Sequence, residues 1–470
     1  MSAPALAPGP AATPRATVGF EALMERVREI AGQCDRCGSC LPVCPLFAKT
    51  GRETATARGK VSLIRGLLEG GVTPTRDLFA RLDFCLQCRA CTNACPSKVR
   101  TGELVSLTKG YLAPATGRPG LSRAIDGFLA QPGLVRLAGP LVRSYARSAI
   151  RPVIEKSVLK PLLPSVARME GLLPGRRPAR SDGANHRGGG AGGPSDGGRP
   201  PKRGRLKYFA GCMVRLTYPE VMKATIKTLR DAGYEVTVVD ESCCGLPHWS
   251  HGDLDRARKM AAANLDRLAG PEIVVTDCAS CGSALVDYRE WLAGDPEHEA
   301  AAKELAGRVK DVSVVLAALE PSSQADAQQA DAPQAAPDHP VKVTYHDPCH
   351  LCRGQGVRAE PRQVLRDAGY DFIEMKGADI CCGGSGTFSV EHYADSMAVL
   401  EEKTKNILAT GADAVVTSCP SCLMQLEHGL KRYGGDRKVR VIHLTEAVHE
   451  ARRAGARPAG AGTGVAKPAQ

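Results

Sequence analysis

The pattern of hydrophobic and polar positions predicts helices in the first hundred residues. One face of the segment 20–30 is apolar at the three- and four-residue spacing of a helix, at Phe20, Leu23, Met24, Val27 and Ile30. Segments 61–68 and 78–84 have a similar pattern. We therefore expect a mostly helical N-terminal block.

The pattern changes after residue 204, where short apolar or β-branched runs alternate with longer helical segments. The runs lie at 206–209, 234–239, 273–276, 341–345 and 415–417. Strands alternating with helices are typical of parallel α/β folds. Cysteines follow these runs, and in such sheets ligands collect beyond the carboxyl ends of the strands.

The C-terminal part contains an internal repeat. LRDAGY occurs at 229–234 and again at 365–370, and VVTDCASC at 274–281 is matched by VVTSCPSC at 415–422. Self-similarity of this kind indicates a duplicated unit with two similarly shaped sites. The expected fold class is α/β, with an N-terminal helical domain followed by duplicated parallel α/β domains.

Two segments contain few apolar residues that could be buried in a core. Residues 174–204 are rich in Gly, Pro and Arg, and residues 321–340 are rich in Ala, Gln, Pro and Asp, so both are predicted to be linkers. The remaining boundaries follow from these: a disordered N-terminus (1–19), a helical domain (20–110), a helical connector (111–173), the two repeats (205–320 and 341–450) and a disordered tail (451–470).

The net charge of +12 does not indicate a nucleic-acid partner. Residues 136–205 hold 15 Lys/Arg against 4 acids, which places +11 in the connector and first linker. No basic face with interleaved aromatics extends over a folded domain, so nucleic-acid binding loses its main support. The chain shows neither a secretory signal pattern nor an apolar stretch of 18 residues, so we expect it in the cytoplasm.

The nineteen cysteines indicate metal binding, because cytosolic thiols are held reduced and a disulfide framework is not expected there. Two runs of C-x2-C-x2-C-x3-C-P are formed by Cys34, Cys37, Cys40 and Cys44, and by Cys85, Cys88, Cys91 and Cys95. In the two-cluster ferredoxin pattern, the fourth cysteine of each run ligates the other cluster. The predicted [4Fe-4S] ligand sets are therefore Cys34, Cys37, Cys40 and Cys95 (cluster 1), and Cys85, Cys88, Cys91 and Cys44 (cluster 2). A pair of structural zinc sites is the alternative.

The spacing between the two runs and the segment 58–68 resemble the alpha-helical ferredoxin domain of respiratory iron-sulfur subunits. Each repeat has one cysteine, then Cys-Cys-Gly, then C-x-x-C, which resembles the CCG cysteine-rich domain. That domain occurs in heterodisulfide reductase, glycolate oxidase, lactate-utilisation proteins and anaerobic glycerol-3-phosphate dehydrogenase.

The resemblance implies one iron-sulfur cluster in each repeat, held by five cysteines. The first set is Cys212, Cys243, Cys244, Cys278 and Cys281; the second is Cys349, Cys381, Cys382, Cys419 and Cys422. Zinc, or a partly empty site in one repeat, is the alternative. Cys352 is left over and is interpreted as an inert, partly buried thiol.

Segments 354–357 (GQGV) and 381–388 (CCGGSGTF) look most like the glycolate oxidase subunit. Many of those subunits have degenerate C-x-x-C sites, whereas both sites are intact here, so the hydroxy acid stays open between glycolate and lactate. The resemblance implies an electron-transfer subunit of a flavin-dependent 2-hydroxy-acid dehydrogenase. An FAD-binding partner would deliver electrons through the clusters to a quinone or another carrier.

A heterodisulfide-reductase-like disulfide reductase, the iron-sulfur subunit of anaerobic glycerol-3-phosphate dehydrogenase and a zinc scaffold remain alternatives. No catalytic residue is assigned. His248, His251, His346 and His350 lie beside motif cysteines, where they either bond to cluster sulfurs or relay protons, or make structural bonds to the backbone. Arg143, Arg147 and Arg151 form one basic helix face, which suits peripheral contact with anionic lipid or is simply solvated.

Overall fold

The computed structural model describes residues 20–148, 151, 164–173, 203–240, 243–319 and 341–454. The predicted disordered N-terminus, the second linker and almost all of the first linker lie outside these residues. The predicted tail begins too early, because the last helix continues to Arg453.

The first block is helical, as predicted. Its elements are α1 (Phe20–Gly32), α2 (Pro45–Thr50), a 3-10 turn (Glu53–Ala55), α3 (Ala57–Leu68), α4 (Arg76–Asp83), α5 (Ala90–Ala94) and α6 (Thr101–Thr116). Thr56 and Thr75 cap α3 and α4, each accepting a hydrogen bond at 3.2 Å from the backbone N–H three residues later. Val27, Ile64 and Leu104 are fully buried in the core between these helices.

The connector is helical too, although α6 runs across the boundary predicted at residue 110. It comprises α7 (Gly120–Leu129), α8 (Pro132–Arg147) and α9 (Pro164–Leu172). Arg143 donates to the Arg215 and Leu216 carbonyls, and the buried Arg151 pairs with Glu170 at 2.8 Å. These two arginines therefore contact protein, while the Arg147 side chain lies outside the described residues.

The first repeat is a four-stranded parallel sheet in the order β2-β1-β3-β4. Its strands are β1 (Arg205–Tyr208), β2 (Glu235–Val238), β3 (Ile273–Thr276) and β4 (Val309–Asp311). Its helices are α10 (Cys212–Thr217), α11 (Pro219–Asp231), α12 (Leu246–Ser250), α13 (Leu254–Leu268), α14 (Ala279–Trp291), α15 (Glu299–Arg308) and α16 (Val312–Ala317).

The second repeat has the same topology, with the strand order β6-β5-β7-β8. Its strands are β5 (Lys342–Tyr345), β6 (Asp371–Phe372), β7 (Ala414–Thr417) and β8 (Arg440–His443). Its helices are α17 (Cys349–Cys352), α18 (Ala359–Asp367), α19 (Phe388–Glu391), α20 (Tyr393–Ala409), α21 (Pro420–Tyr433) and α22 (Leu444–Arg453). The duplicated α/β fold class is thus confirmed.

The two sheets pack so that the carboxyl ends of their central strands meet. The Ala279 N–H donates to the Ser418 carbonyl at 3.0 Å, joining the turn after β3 to the turn after β7. His443 at the end of β8 bonds to the Asp277 carbonyl at 2.8 Å. This packing places the cysteines of both repeats in one central region. None of the helices described is long and apolar enough to cross a membrane.

Candidate iron-sulfur sites

The two ferredoxin-type runs share a backbone geometry that wraps the chain around its cysteines. Arg36 and Gln87, each just before the second cysteine of its run, have φ values of 57° and 53°. Gly38 and Arg89, each just after that cysteine, have φ values of 86° and 60°. Left-handed backbone is uncommon outside glycine, so its recurrence at matching positions shows that both runs build the same ligand loop.

Cys44 of the first run lies with three cysteines of the second run around one cavity. Cys44, Cys85, Cys88 and Cys91 all line it, together with Lys60. The cavity encloses about 450 Å³, part of it open to solvent. The structure thus brings together the four residues of the predicted cluster 2 set, with the fourth cysteine crossing over.

The other predicted set gathers near the surface. Cys40 lies close enough to Cys34 and Cys37 for their charges to affect its pKa, which burial raises above its ordinary value. Arg58 contacts this group, and its charge interacts with Cys40 and Cys37. Ser97, two residues after Cys95, donates a hydrogen bond to Asp35, which follows Cys34, so the end of the second run lies beside this group.

The five cysteines of the first repeat form a chain of sulfur contacts. Cys212 Sγ lies 3.5 Å from Cys243 Sγ. Cys243 bonds in turn to Cys244, and Cys244 to Cys281. The Cys281 backbone N–H closes the set by donating to Cys278 Sγ at 3.4 Å.

The second repeat has the same chain of sulfur contacts. Cys349 bonds to Cys381, Cys381 to Cys382, Cys382 to Cys422, and Cys422 to Cys419. All five predicted residues of each repeat are therefore together. In both repeats they follow the first, second and third strands, so the parallel sheet itself collects them at one edge.

Two further sulfur contacts join these sites to each other. Cys88 of the cluster 2 set bonds to Cys381 of the second repeat. Cys278 of the first repeat bonds to Cys419 of the second, where Ser280 Oγ also lies 3.5 Å from Cys419 Sγ. Thiols thus run without interruption from the helical block through the second repeat to the first.

The thiols differ sharply in acidity. Burial raises the pKa of Cys44 to about 11 and also raises that of Cys91. Hydrogen bonds from Cys243 and Cys281 lower the pKa of Cys244 to about 5, because a neighbouring thiol that donates to sulfur stabilises the thiolate. The pKa values of Cys382 and Cys419 are lowered for the same reason.

Two buried lysines face the sulfurs. Lys60 donates to the carbonyls of Thr54 and Ala55 at 2.9 and 3.1 Å, and Cys85, Cys44 and Cys91 favour its charged form. Burial lowers the pKa of Lys403 to about 8, although the nearby Cys382 and Cys381 favour its charged form. Each lysine supplies positive charge where several thiolates would otherwise repel one another.

These donor sets fit iron-sulfur clusters better than zinc. A structural zinc ion takes four ligands, whereas five contacting sulfurs converge in each repeat. Soft thiolates are the ligands that iron-sulfur clusters require. In the cluster 2 set the four sulfurs surround a cavity.

The four histidines have different surroundings. His248 bonds to the Asp126 carbonyl at 3.0 Å, and His251 bonds to the Asp126 carboxylate at 2.9 Å and to Thr387 at 3.0 Å. These bonds tie α7 to both repeats; the His248 bond is to the backbone, as the structural interpretation expects, whereas the His251 bonds are to side chains. His350 bonds to the Gln87 carbonyl and Ser280 Oγ, both at 3.2 Å.

His346 is the exception, because its ring approaches Cys382 and Cys422, with the three ligand atoms within 4.8 Å of one another. Cys352 is buried, and burial raises its pKa to about 11.

Sequence reasoning missed the roles of Lys60 and Lys403, because a lysine within a helical pattern is normally solvated. It also missed the contact between Cys88 and Cys381, which joins residues almost three hundred positions apart. The RGK segment at 58–60, between the cysteine runs, was the only signal for Lys60.

Comparison with known families agrees with this architecture. A 4Fe-4S dicluster domain model matches residues 30–99, and a cysteine-rich domain model, CCG, matches residues 206–286 and 343–427. The chain is 33% identical over 429 residues to the probable glycolate oxidase iron-sulfur subunit of Bacillus subtilis, covering 89% of this chain and 93% of that protein.

Shorter matches include two further relatives. A fumarate reductase (CoM/CoB) subunit of Methanothermobacter marburgensis is 35% identical over 246 residues, which cover 52% of this chain and 45% of that protein. Lactate utilization protein A of Oceanobacillus iheyensis is 29% identical over 253 residues, which cover 53% of this chain and 99% of that protein.

Fold, cysteine geometry and family matches together define an iron-sulfur electron-transfer protein of the oxidoreductase class. Within that class, the chain belongs to the glycolate oxidase iron-sulfur subunit family.

Proposed function

We propose that the chain is the iron-sulfur subunit of a flavin-dependent 2-hydroxy-acid dehydrogenase, with glycolate or lactate as the substrate class. An FAD-binding partner oxidises the hydroxy acid, and this chain accepts the electrons and passes them to a quinone or another carrier. The relatives named as a glycolate oxidase subunit and as lactate utilization proteins support this assignment. The site of action we propose is the cytoplasm; Arg143 and Arg151, two of the three arginines that suggested membrane contact, contact protein instead.

The ligand sets we propose are the four that the sequence predicts. Cluster 1 takes Cys34, Cys37, Cys40 and Cys95, and cluster 2 takes Cys85, Cys88, Cys91 and Cys44. The five cysteines of each repeat hold one further iron-sulfur cluster. When bound, such clusters supply one-electron transfer at potentials set by their surroundings.

The observation that carries the proposal is the continuous series of sulfur contacts from the helical block through the second repeat to the first. Cys88 contacts Cys381, and Cys278 contacts Cys419, so the second repeat lies between the helical block and the first repeat. Direct contact between ligand residues keeps neighbouring sites close together. The chain thereby positions a route with the cluster 1 set at one end and the first repeat at the other.

The residues around this route exclude water and balance charge. All four contacting sulfurs belong to buried residues. Arg353 donates to the Cys88 carbonyl at 3.3 Å, and Cys88 and Cys349 favour its charged form. Arg89 pairs with Asp287 and so fixes the helical block on the first repeat. We infer that these contacts keep the sites at constant spacing during turnover.

The proposal is tested by anaerobic co-purification with an FAD-linked oxidase encoded beside this chain. Glycolate or lactate is added, and bleaching of the iron-sulfur absorption is followed. We expect substrate-dependent reduction in the complex and none with this chain alone. Cys88→Ser is compared with Cys352→Ser, its match outside the ligand sets. Failure of every 2-hydroxy acid to reduce a complex that dithionite does reduce would contradict the proposal.

A disulfide reductase related to heterodisulfide reductase is the second candidate. All ten cysteines of the two repeats are present, and the repeats meet at Cys278 and Cys419. The relative named as a fumarate reductase (CoM/CoB) subunit also favours it. Reoxidation of the dithionite-reduced protein by an organic disulfide under argon would support this candidate, and unchanged reduced spectra would count against it.

A further inference from the structure

The two cysteine-rich repeats differ at one position beside their sulfurs. His346 follows β5 and donates its backbone N–H to the Val416 carbonyl at 2.9 Å. Phe209 follows β1 and donates in the same way to Val275, also at 2.9 Å. Val275 pairs with Tyr208, and Val416 with Tyr345, so the two positions occupy the same register in the two sheets. A histidine therefore stands in the second repeat where the first has a phenylalanine.

The His346 ring has no settled partner of its own. The residue is 1% exposed, and among the described residues neither ring nitrogen makes a hydrogen bond of normal geometry. The Ala378 carbonyl faces the ring, but it already accepts from the Asp347 N–H at 3.1 Å. A buried polar group without a partner is costly, so its retention indicates a ligand.

The surrounding charged groups are engaged elsewhere. The Asp347 carboxylate pairs with Arg362 through two hydrogen bonds of 2.8 Å. Lys403 Nζ donates to the Gly377 and Ala378 carbonyls. What remains near the ring is sulfur, since His346, Cys382 and Cys422 bring their ligand atoms within 4.8 Å of one another.

An imidazole nitrogen also carries the lone pair that a metal ligand needs. Phe209, which is fully buried beside the first set, offers no such atom.

We propose that His346 supplies a nitrogen ligand to iron at the second cysteine-rich site, whereas the first site is ligated by sulfur alone. The proposal rests on the proposed function, in that the second repeat must hold an iron-sulfur cluster. Replacing thiolate by histidine on iron raises the reduction potential. The second site therefore has the higher potential of the two, although the repeats arose from one unit.

The test is pulsed hyperfine spectroscopy on the full-length protein, purified anaerobically and poised where the second site is paramagnetic. Samples are unlabelled, labelled with 15N in histidine only, and labelled in the His346→Phe and His428→Gln variants. His428 is the control, because it bonds to the Gly171 carbonyl at 2.9 Å and to Tyr393 at 3.1 Å. Iron, acid-labile sulfide and zinc are measured on every sample.

We expect a strong nitrogen coupling that changes with the histidine label, is lost in His346→Phe and persists in His428→Gln. The potential of the second site should also shift downward in His346→Phe. A cluster signal with only the weak couplings of hydrogen-bonded amides overturns the assignment of His346, while the cluster itself stands. Stoichiometric zinc without labile sulfide in the repeats overturns the proposed function as well. If His346→Phe does not fold, the labelled wild-type protein alone decides.

Discussion

Replacing Gly211 with alanine tests how tightly the first repeat closes around its sulfurs. Gly211 has φ 76° and ψ 162°, a backbone region that costs other residues about 1–3 kcal/mol. An added Cβ would lie 2.6 Å from Cys281 Sγ, whereas non-bonded heavy atoms settle at roughly 3.5–4.0 Å. Overpacking of this kind costs about 1–3 kcal/mol more. We therefore expect Gly211→Ala to cost about 2–6 kcal/mol in total. The strain acts on Cys281, which contacts both Cys244 and Cys278.

The expected result of Gly211→Ala is selective loss of iron from the first repeat. Iron and acid-labile sulfide per chain should fall, while the signals of the helical block remain, because its cysteines lie on other elements. Gly307→Ala is the matched control: no atom lies within 4 Å of its added Cβ, and alanine within a helix stabilises by about 0.5–1 kcal/mol relative to glycine. Gly211→Ala protein with the full iron content and melting temperature of the wild type would show that the repeat does not close this tightly.

Three further predictions concern groups around the sites. Lys60→Met removes a buried positive charge beside Cys85 and Cys44. The reduction potential of the cluster 2 site should therefore fall by roughly 60 mV, which corresponds to a tenfold change in the one-electron equilibrium constant. An unchanged potential in an anaerobic redox titration would contradict this. Asp126→Asn leaves Arg118 and His251 without their buried carboxylate and should destabilise by about 3–5 kcal/mol in urea. Burial opposes ionisation of Asp126, but His251 and Arg118 hold its pKa below the ordinary value, so the stability that the carboxylate contributes is present above about pH 4 and should be lost as the pH falls further; a penalty for Asp126→Asn that does not shrink in acid would contradict this. Burial lowers the pKa of His350 to about 4, so protons bind the unfolded chain better than the folded one, and the free energy of unfolding should fall by about 1 kcal/mol as the pH drops from 6.5 to 5.5. His350→Gln should flatten this dependence of melting temperature on pH, and an equal slope in both proteins would argue against it.

The sequence predicts the central strands well because their hydrophobic pattern is strong. The run at 273–276 coincides with β3, and the other predicted runs differ from their strands by one residue at one or both ends. The edge strands β4, β6 and β8 were missed. Each is short and carries a charged residue, Lys310, Asp371 or Arg440, so none shows a continuous apolar run.

The proposed ligand sets rest on cysteine spacing in the two runs and on the family resemblance in the two repeats, but neither predicts how the sites are ordered in space. Local spacing groups the cysteines of each run, and parallel topology collects those of each repeat at one sheet edge. The contacts of Cys88 with Cys381 and of Cys278 with Cys419 arise from packing between domains, which no local pattern encodes. For the same reason the sequence did not separate His346 from the three other histidines beside motif cysteines.

The central proposal is that these sulfurs hold a continuous series of iron-sulfur clusters. Its sharpest test is electron paramagnetic resonance on the anaerobic protein during stepwise reduction, combined with iron and sulfide analysis of the same sample. We expect several reducible signals, with magnetic coupling between the cluster 2 site and the second repeat that disappears in Cys381→Ser. Protein that contains zinc in place of iron and sulfide, or iron-sulfur signals that stay independent at every potential, would contradict it.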